Sequence, residues 1–132
     1  MLPAITGDLV FQMPTSRFAA AQSGHARVFK YLYGEDDANG GGARHGAEVG
    51  DVWRSPDGPS PDLPARFVPG DPKLADRVHA TWGAFISSGS PETPAMPNWP
   101  AHSPAEPHLV HIDSTGLRAE PDVYWPRLAA WR

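Results

Sequence analysis

Val28-Phe29-Lys30-Tyr31-Leu32-Tyr33 is the stretch on which the fold turns. It is dense in the β-branched and aromatic types that favour strands. Apolar groups fall on both of its faces, as in a strand in the middle of a sheet with a layer on each side. Upstream, residues 8–23 read as a helix, with Leu9, Phe11, Met13, Phe18 and Ala19 to Ala21 on an apolar side. Thr6 or Asp8 could cap its start, Pro14 could sit in its first turn, and Gly24 closes it. Downstream, Glu35 to Gly42 is a polar, glycine-rich turn. A short helix is expected over 46–53, with Val49, Val52 and Trp53 at helical spacing.

The pattern with the clearest boundaries lies further on. Asp71 is a ready N-cap, and Pro72 suits a first helical position because its missing N–H would be unbonded there anyway. Leu74, Val78, Trp82, Phe85 and Ile86 then recur at three and four, predicting a helix over 72–87 with one broad apolar face. Ser87-Ser88-Gly89 ends it. Leu109 to Ile112 reads as a short strand, Ser114 to Gly116 as a turn, and 121–131 as a last helix. Two proline-rich loops separate these elements, with six prolines between Pro56 and Pro72 and six between Pro91 and Pro107. Loops of that length are unusual in a self-contained small domain. They suggest segments lying on a larger body. One central-type strand and one short strand would make a marginal sheet. The chain therefore reads as an incomplete α/β layer, 1–132 being part of a larger domain.

Composition narrows the partners. The 132 residues carry a net charge of −4, and only Lys30 and Lys73 are lysines. No basic stripe exists to bind a nucleic acid. No apolar run is long enough to span a bilayer. No charged leader with a long apolar core precedes residue 4, so no secretory signal is expected. The absence of cysteine removes disulfides, thiolate chemistry and cysteine–zinc sites, and favours the cytoplasm.

The local signal for chemistry is Gly42-Ala43-Arg44-His45-Gly46-Ala47-Glu48-Val49. His45 stands past a strand and a turn, at the mouth of a short helix, between glycines that allow close backbone approach. Loops at strand ends are where α/β layers gather catalytic groups. A histidine there can act as a general base near neutral pH, though on position and glycines alone an ordinary polar loop residue is the commoner case.

GARHGAEVGDVW, residues 42–53, resembles the stretch around the catalytic histidine of type B carboxylesterases and their cholinesterase relatives. Other features follow in the family's order. Asp8, Phe11 and Pro14, the alanine-rich helix and VFKYLY resemble the approach to the histidine. Asp71, Leu74, Trp82-Gly83-Ala84-Phe85 and Gly89-Ser90-Pro91 resemble the helix and turn beyond it. Trp99-Pro100, LVHID and the closing Trp-Pro-Arg with Trp131 resemble the family's end. The resemblance implies the C-terminal portion of an α/β-hydrolase, with one or two late strands, packed helices and long proline-rich loops. It implies a serine esterase of small-molecule carboxylic esters, needing no cofactor, in which His45 is the catalytic histidine.

The departures are as informative. The family places a serine nucleophile on a Gly-x-Ser-x-Gly turn, then an acid, then the histidine. No serine here has glycine two residues before and two after; Ser60 and Ser114 have one each. By family order the nucleophile, the acid and the oxyanion loop would lie upstream of residue 1. They would belong to a missing N-terminal part or another protomer. A lone histidine lacks the rest of the machinery, and losing one triad member costs on the order of 10⁴- to 10⁶-fold in rate. The isolated chain is expected to be nearly inactive. The alternatives are a non-catalytic remnant serving as a binding module, or a hydrolase with a different nucleophile.

Other candidates read more plainly. Glu48 suits a helix-start carboxylate better than a triad acid. Asp51 is expected to be solvated or paired within a loop. His108 and His111, three apart on a strand, do not converge on a metal, and no metal site is expected. His25, His79 and His102 are expected at the surface, and the five tryptophans in the core. Arg44 could bias binding toward anionic substrates or stand exposed.

Overall fold

A computed structural model describes residues 2–34, 43, 46–54 and 71–128. The elements run α1 (Leu2–Gly7), a π-helical turn (Asp8–Gln12), α2 (Met13–Gln22), β1 (Tyr31–Tyr33), α3 (Val49–Trp53), α4 (Pro72–Ser88), β2 (His108–Asp113), β3 (Gly116–Pro121) and α5 (Trp125–Leu128).

The first helix begins earlier than the sequence suggests. Gly7 is itself helical at φ −59°, so neither Thr6 nor Asp8 caps a helix start. Pro14 explains the interruption. In a regular helix its ring would meet the carbonyl four residues back, and it has no N–H to give. The preceding turn widens instead, and the Met13 N–H reaches back five residues to the Asp8 carbonyl. Such single π turns accommodate a local misfit without ending the helix.

α4 follows its sequence signals closely. The Asp71 carboxylate accepts from the Lys73 N–H at 2.9 Å, and Pro72 follows in the first turn. Gly89 closes the helix in a left-handed conformation, φ 75°, donating its N–H to the Phe85 carbonyl at 2.8 Å. Leu74, Ala75, Val78 and Thr81 are buried. Among the described residues the apolar face is fully covered only over its first half: Trp82 and Phe85 meet Tyr31 and Phe29 edge-on but stay partly open to solvent, and Ile86 is exposed.

The sheet has three strands in the order β1-β2-β3. β1 is parallel to β2, pairing Tyr31 with Val110, Leu32 with His111 and Tyr33 with Ile112. Parallel neighbours require a crossover, and α3 and α4 lie within it. β2 and β3 form an antiparallel hairpin in which Asp113 pairs with Gly116. Among the described residues β2 is thus the central strand and β1 an edge, where the sequence suggested a central β1. The two residues of the hairpin turn are set by Asp113, whose Oδ1 accepts from the Thr115 N–H at 2.8 Å and its hydroxyl at 2.6 Å. That local bonding is how a short acidic side chain stabilises a turn. β3 occupies residues expected to lead into a helix, and the closing helix covers only Trp125–Leu128 of the described residues.

The core lies between one face of the sheet and α4. Leu74, Val78, Met96, Trp99, Val110 and Ile112 form it, and Phe29, Tyr31, Tyr33, Val52 and Leu117 pack against it. Met96 and Trp99 come from the second proline-rich loop, so that loop folds onto the chain's own core. The first loop, 55–70, lies outside the described residues. Lys30 alternates with Tyr31 and meets α2, its Nζ donating to the Ser16 hydroxyl at 2.7 Å. Helices therefore contact the sheet region from both sides.

Two expectations about side chains fail. Among the tryptophans only Trp99 is buried; Trp125 is half-buried, Trp53 and Trp82 are exposed, and Trp131 lies outside the described residues. His102 is not at the surface but buried. The loop brings it under the strands, where its backbone N–H donates to the Val28 carbonyl at 2.8 Å. Its Nδ1–H donates to the His108 carbonyl at 3.0 Å, and its ring meets Trp125 edge-on.

Candidate functional site

The segment singled out by sequence joins β1 to α3. His45 and Arg44 lie outside the described residues, whereas the residues on either side are defined. β1 ends at Tyr33, and Gly34 turns the chain with φ 96°, a conformation that side-chain-bearing residues rarely adopt. A Cβ on Gly34 would stand 2.2 Å from the Ala43 Cβ, so the glycine lets the chain return against itself two residues before His45.

Gly34 is fixed on its other side by β2. Its N–H donates to the Ile112 carbonyl at 2.8 Å, and its own carbonyl is 2.8 Å from His111 Nε2. A carbonyl only accepts, so Nε2 carries the proton. Nδ1 of His111 then faces Arg118 Nη2 at 2.8 Å and Glu120 Oε1 at 3.3 Å. Arg118 is also paired with Asp113. His108 is three residues away with its Nδ1 3.3 Å from the Glu106 carbonyl, so the two histidines serve separate local bonds. Among the described residues no group of three or more histidine and carboxylate side chains is gathered for a metal. No helix there is long and apolar enough to cross a membrane.

Beyond residue 45, Gly46 has φ 76° and a turn leads into α3. Glu48 occupies the N-cap position but makes no side-chain capping bond. Its charge instead reaches the strand. The Tyr31 hydroxyl is pushed up to about 12, first by burial and then by the Glu48 carboxylate. Tyr33 is raised further, by burial, by its bond to Asp51 and by the charges of Asp51 and Glu48.

Asp51 corrects the sequence reading. It is not solvated but 2% exposed, and its Oδ2 accepts from the Tyr33 hydroxyl at 2.5 Å. Burial raises its carboxyl above the ordinary range; the Tyr33 bond opposes this and the Asp71 charge adds to it. α3 is held to α4 by the His79 Nδ1–H, which donates to the Val52 carbonyl at 2.9 Å. The pairs around Gly34 and Asp51 were invisible to a local reading, since His111 is 77 residues from Gly34 and Asp51 is 18 from Tyr33. The one local hint was a carboxylate set into Val49-Gly50-Asp51-Val52.

A parallel strand running into a turn, then a helix at its carboxyl end, is the setting in which α/β enzymes place a catalytic loop. Residues 2–131 match the model of the carboxylesterase family, and this chain belongs to that family. Its fold is part of an α/β-hydrolase fold. Among particular proteins, it is 28% identical over 109 residues to the para-nitrobenzyl esterase of Bacillus subtilis (strain 168), covering 81% of this chain and 22% of that protein. Its structure resembles the Geobacillus stearothermophilus carboxylesterase EST55 at pH 6.2, with 26% identity and a TM-score of 0.76, over 98% of this chain and 27% of that one. A structure of PNB esterase is similar at 25% identity and a TM-score of 0.74, over 94% of this chain and 26% of that one. The chain thus spans about a quarter of the length of these relatives.

Proposed function

We propose that residues 1–132 are the C-terminal segment of a serine carboxylesterase and that they contribute its catalytic histidine, His45. The observation that carries this is family membership across residues 2–131, with a histidine between glycines in the sequence that joins β1 to α3. The substrates are small carboxylic esters, as the names of the relatives suggest. The chemistry needs no cofactor.

In this reading His45 takes the proton of a serine hydroxyl as that oxygen attacks the ester carbonyl. It then returns a proton to the departing alcohol, and repeats the cycle with water to free the acid. The serine, the carboxylate that orients the ring and the oxyanion donors come from the remaining part of the esterase or from another protomer. Gly34 and Gly46 give the connecting chain the positive φ angles it needs around the histidine. The segment alone is nearly inactive.

One observation favours a second reading, a non-catalytic interaction module: Leu74, Val78, Met96, Trp99, Val110 and Ile112 already form a core without further sequence. Hydrolysis of a short-chain aryl ester separates the two. The chain alone should show no turnover above His45→Ala. Joined to the N-terminal three-quarters of a para-nitrobenzyl esterase, it should support turnover that His45→Ala abolishes. Turnover by the isolated chain that vanishes in His45→Ala would mean an enzyme complete in itself. Equal turnover by the joined wild type and His45→Ala would favour the interaction module.

A further inference from the structure

We propose that Tyr33 and Asp51 act as positioning residues, a hydrogen-bonded clasp that fixes both ends of the segment carrying His45. The inference rests on the reading of His45 as catalytic and concerns two residues outside that machinery that would hold it in place.

The geometry is specific. Tyr33 is the last residue of β1, its backbone locked in register with Ile112. Asp51 lies in the first turn of α3, six residues after His45. Their side chains meet at 2.5 Å and join the strand before the segment to the helix after it. The neighbouring contact between Gly34 and Ala43 closes the same span from inside. A displacement of about 1 Å in a catalytic group can cost on the order of 10²-fold in rate, so anchoring both ends has a direct chemical purpose.

The choice of residues supports the same conclusion. A carboxylate that is 2% exposed is a poor way to hold a short helix on a sheet. An apolar pair of similar volume would avoid the desolvation cost and often stabilises more. What the polar pair adds is direction: one acceptor oxygen, one donor, and a ring that sits against the core on only two side-chain torsions. Packing alone would hold α3 near β1 but would let it slide.

The test uses the full chain. In Tyr33→Phe, amide hydrogen exchange at Ala43 and over 46–49 should quicken about 10- to 100-fold, the scale of one hydrogen bond to a charged group. Amides of α4 and of the β2–β3 hairpin should keep their rates. Asp51→Asn, with Tyr33 in place, keeps an acceptor for the phenol and should retain near wild-type exchange. Should Tyr33→Phe fail to fold because it strands a buried carboxylate, Tyr33→Phe with Asp51→Leu removes the bond and the charge together and should show the same local loosening. Unchanged exchange in the folded variants would overturn the clasp. In the joined esterase, Tyr33→Phe should lower kcat about 10- to 100-fold with KM unchanged, and Asp51→Asn should not. Quickened exchange with unchanged kcat would overturn the positioning role and leave His45 in place. Activity indifferent to His45→Ala would instead sink the catalytic reading, while the exchange result would still stand for or against the clasp.

Discussion

Lys30 Nζ lies 2.6 Å from Asp122 Oδ2, and both side chains are buried although 92 residues separate them. Ser16 shares the ammonium at 2.7 Å, and the Tyr124 N–H donates to the other carboxylate oxygen at 3.0 Å. One ion pair therefore ties the first helical stretch, the start of β1 and the turn after β3 into a single unit. The Asp122 N–H also donates to the Pro107 carbonyl at 2.8 Å, which adds the start of β2 to the same knot.

The consequence is asymmetric. Lys30→Met leaves Asp122 charged and unpaired in the interior, which should destabilise the chain by about 3–5 kcal/mol. Lys30→Met with Asp122→Leu removes both charges and should recover most of that loss. Urea denaturation of the two variants measures both effects. A loss below about 1 kcal/mol in the single variant would show that water reaches the pair in solution.

Asp113 governs the acid limb of stability. Burial alone would raise its carboxyl, but hydrogen bonds from Thr115 and Arg118 outweigh it and bring it from 3.8 down to about 2. The folded state therefore holds its proton less tightly than the unfolded chain does. Its contribution is fully present above 3.8 and is lost as the pH falls from there toward 2. Asp51 works in the opposite sense. Its raised carboxyl favours folding below the ordinary carboxylate range and loses that contribution as the pH rises through its folded value. Thr115→Val should therefore flatten the fall in stability below pH 3.8, whereas Asp51→Asn should leave that limb steep. Denaturation midpoints measured from pH 2 to 5 check the order; equal slopes in wild type and Thr115→Val would remove Asp113 from the explanation.

What was legible in the sequence had local causes. α4 announced itself through Asp71, Pro72, a three-and-four apolar stripe and Gly89, all signals acting within a few residues. β2 was legible from a compact apolar run. β3 was not: Gly116, Arg118, Ala119, Glu120 and Pro121 have poor strand preference, and pairing with β2 makes them a strand. Asp51 and His102 were misplaced for a related reason. Apart from the apolar neighbours of Asp51, nothing near either residue marks burial, which is decided by Tyr33 and by a loop that folds back under β2. His45 was singled out through family resemblance together with its glycines, while the groups that hold Gly34, at the end of β1, come from β2, far along the chain.

Gly34 and Gly83 make opposite predictions from the same substitution. At Gly34 an alanine must adopt φ 96° and place its Cβ 2.2 Å from that of Ala43. The Gly34 side cannot yield easily, because its N–H and carbonyl are both bonded to β2 residues. Gly34→Ala should cost about 1–3 kcal/mol, the usual range for a side chain forced into left-handed backbone. At Gly83, inside α4, an added Cβ meets nothing within 4 Å. Gly83→Ala should stabilise by about 0.5–1 kcal/mol, since glycine gives up more backbone freedom on entering a helix. Thermal unfolding of the two variants beside wild type is enough to compare them. Stability lost at Gly83 would mean that another surface lies close over this part of α4. Stability kept at Gly34 would mean that the turn out of β1 relaxes without its contact to Ala43, leaving the Tyr33–Asp51 bond, among the described residues, as the one tie between the two ends of the His45 segment.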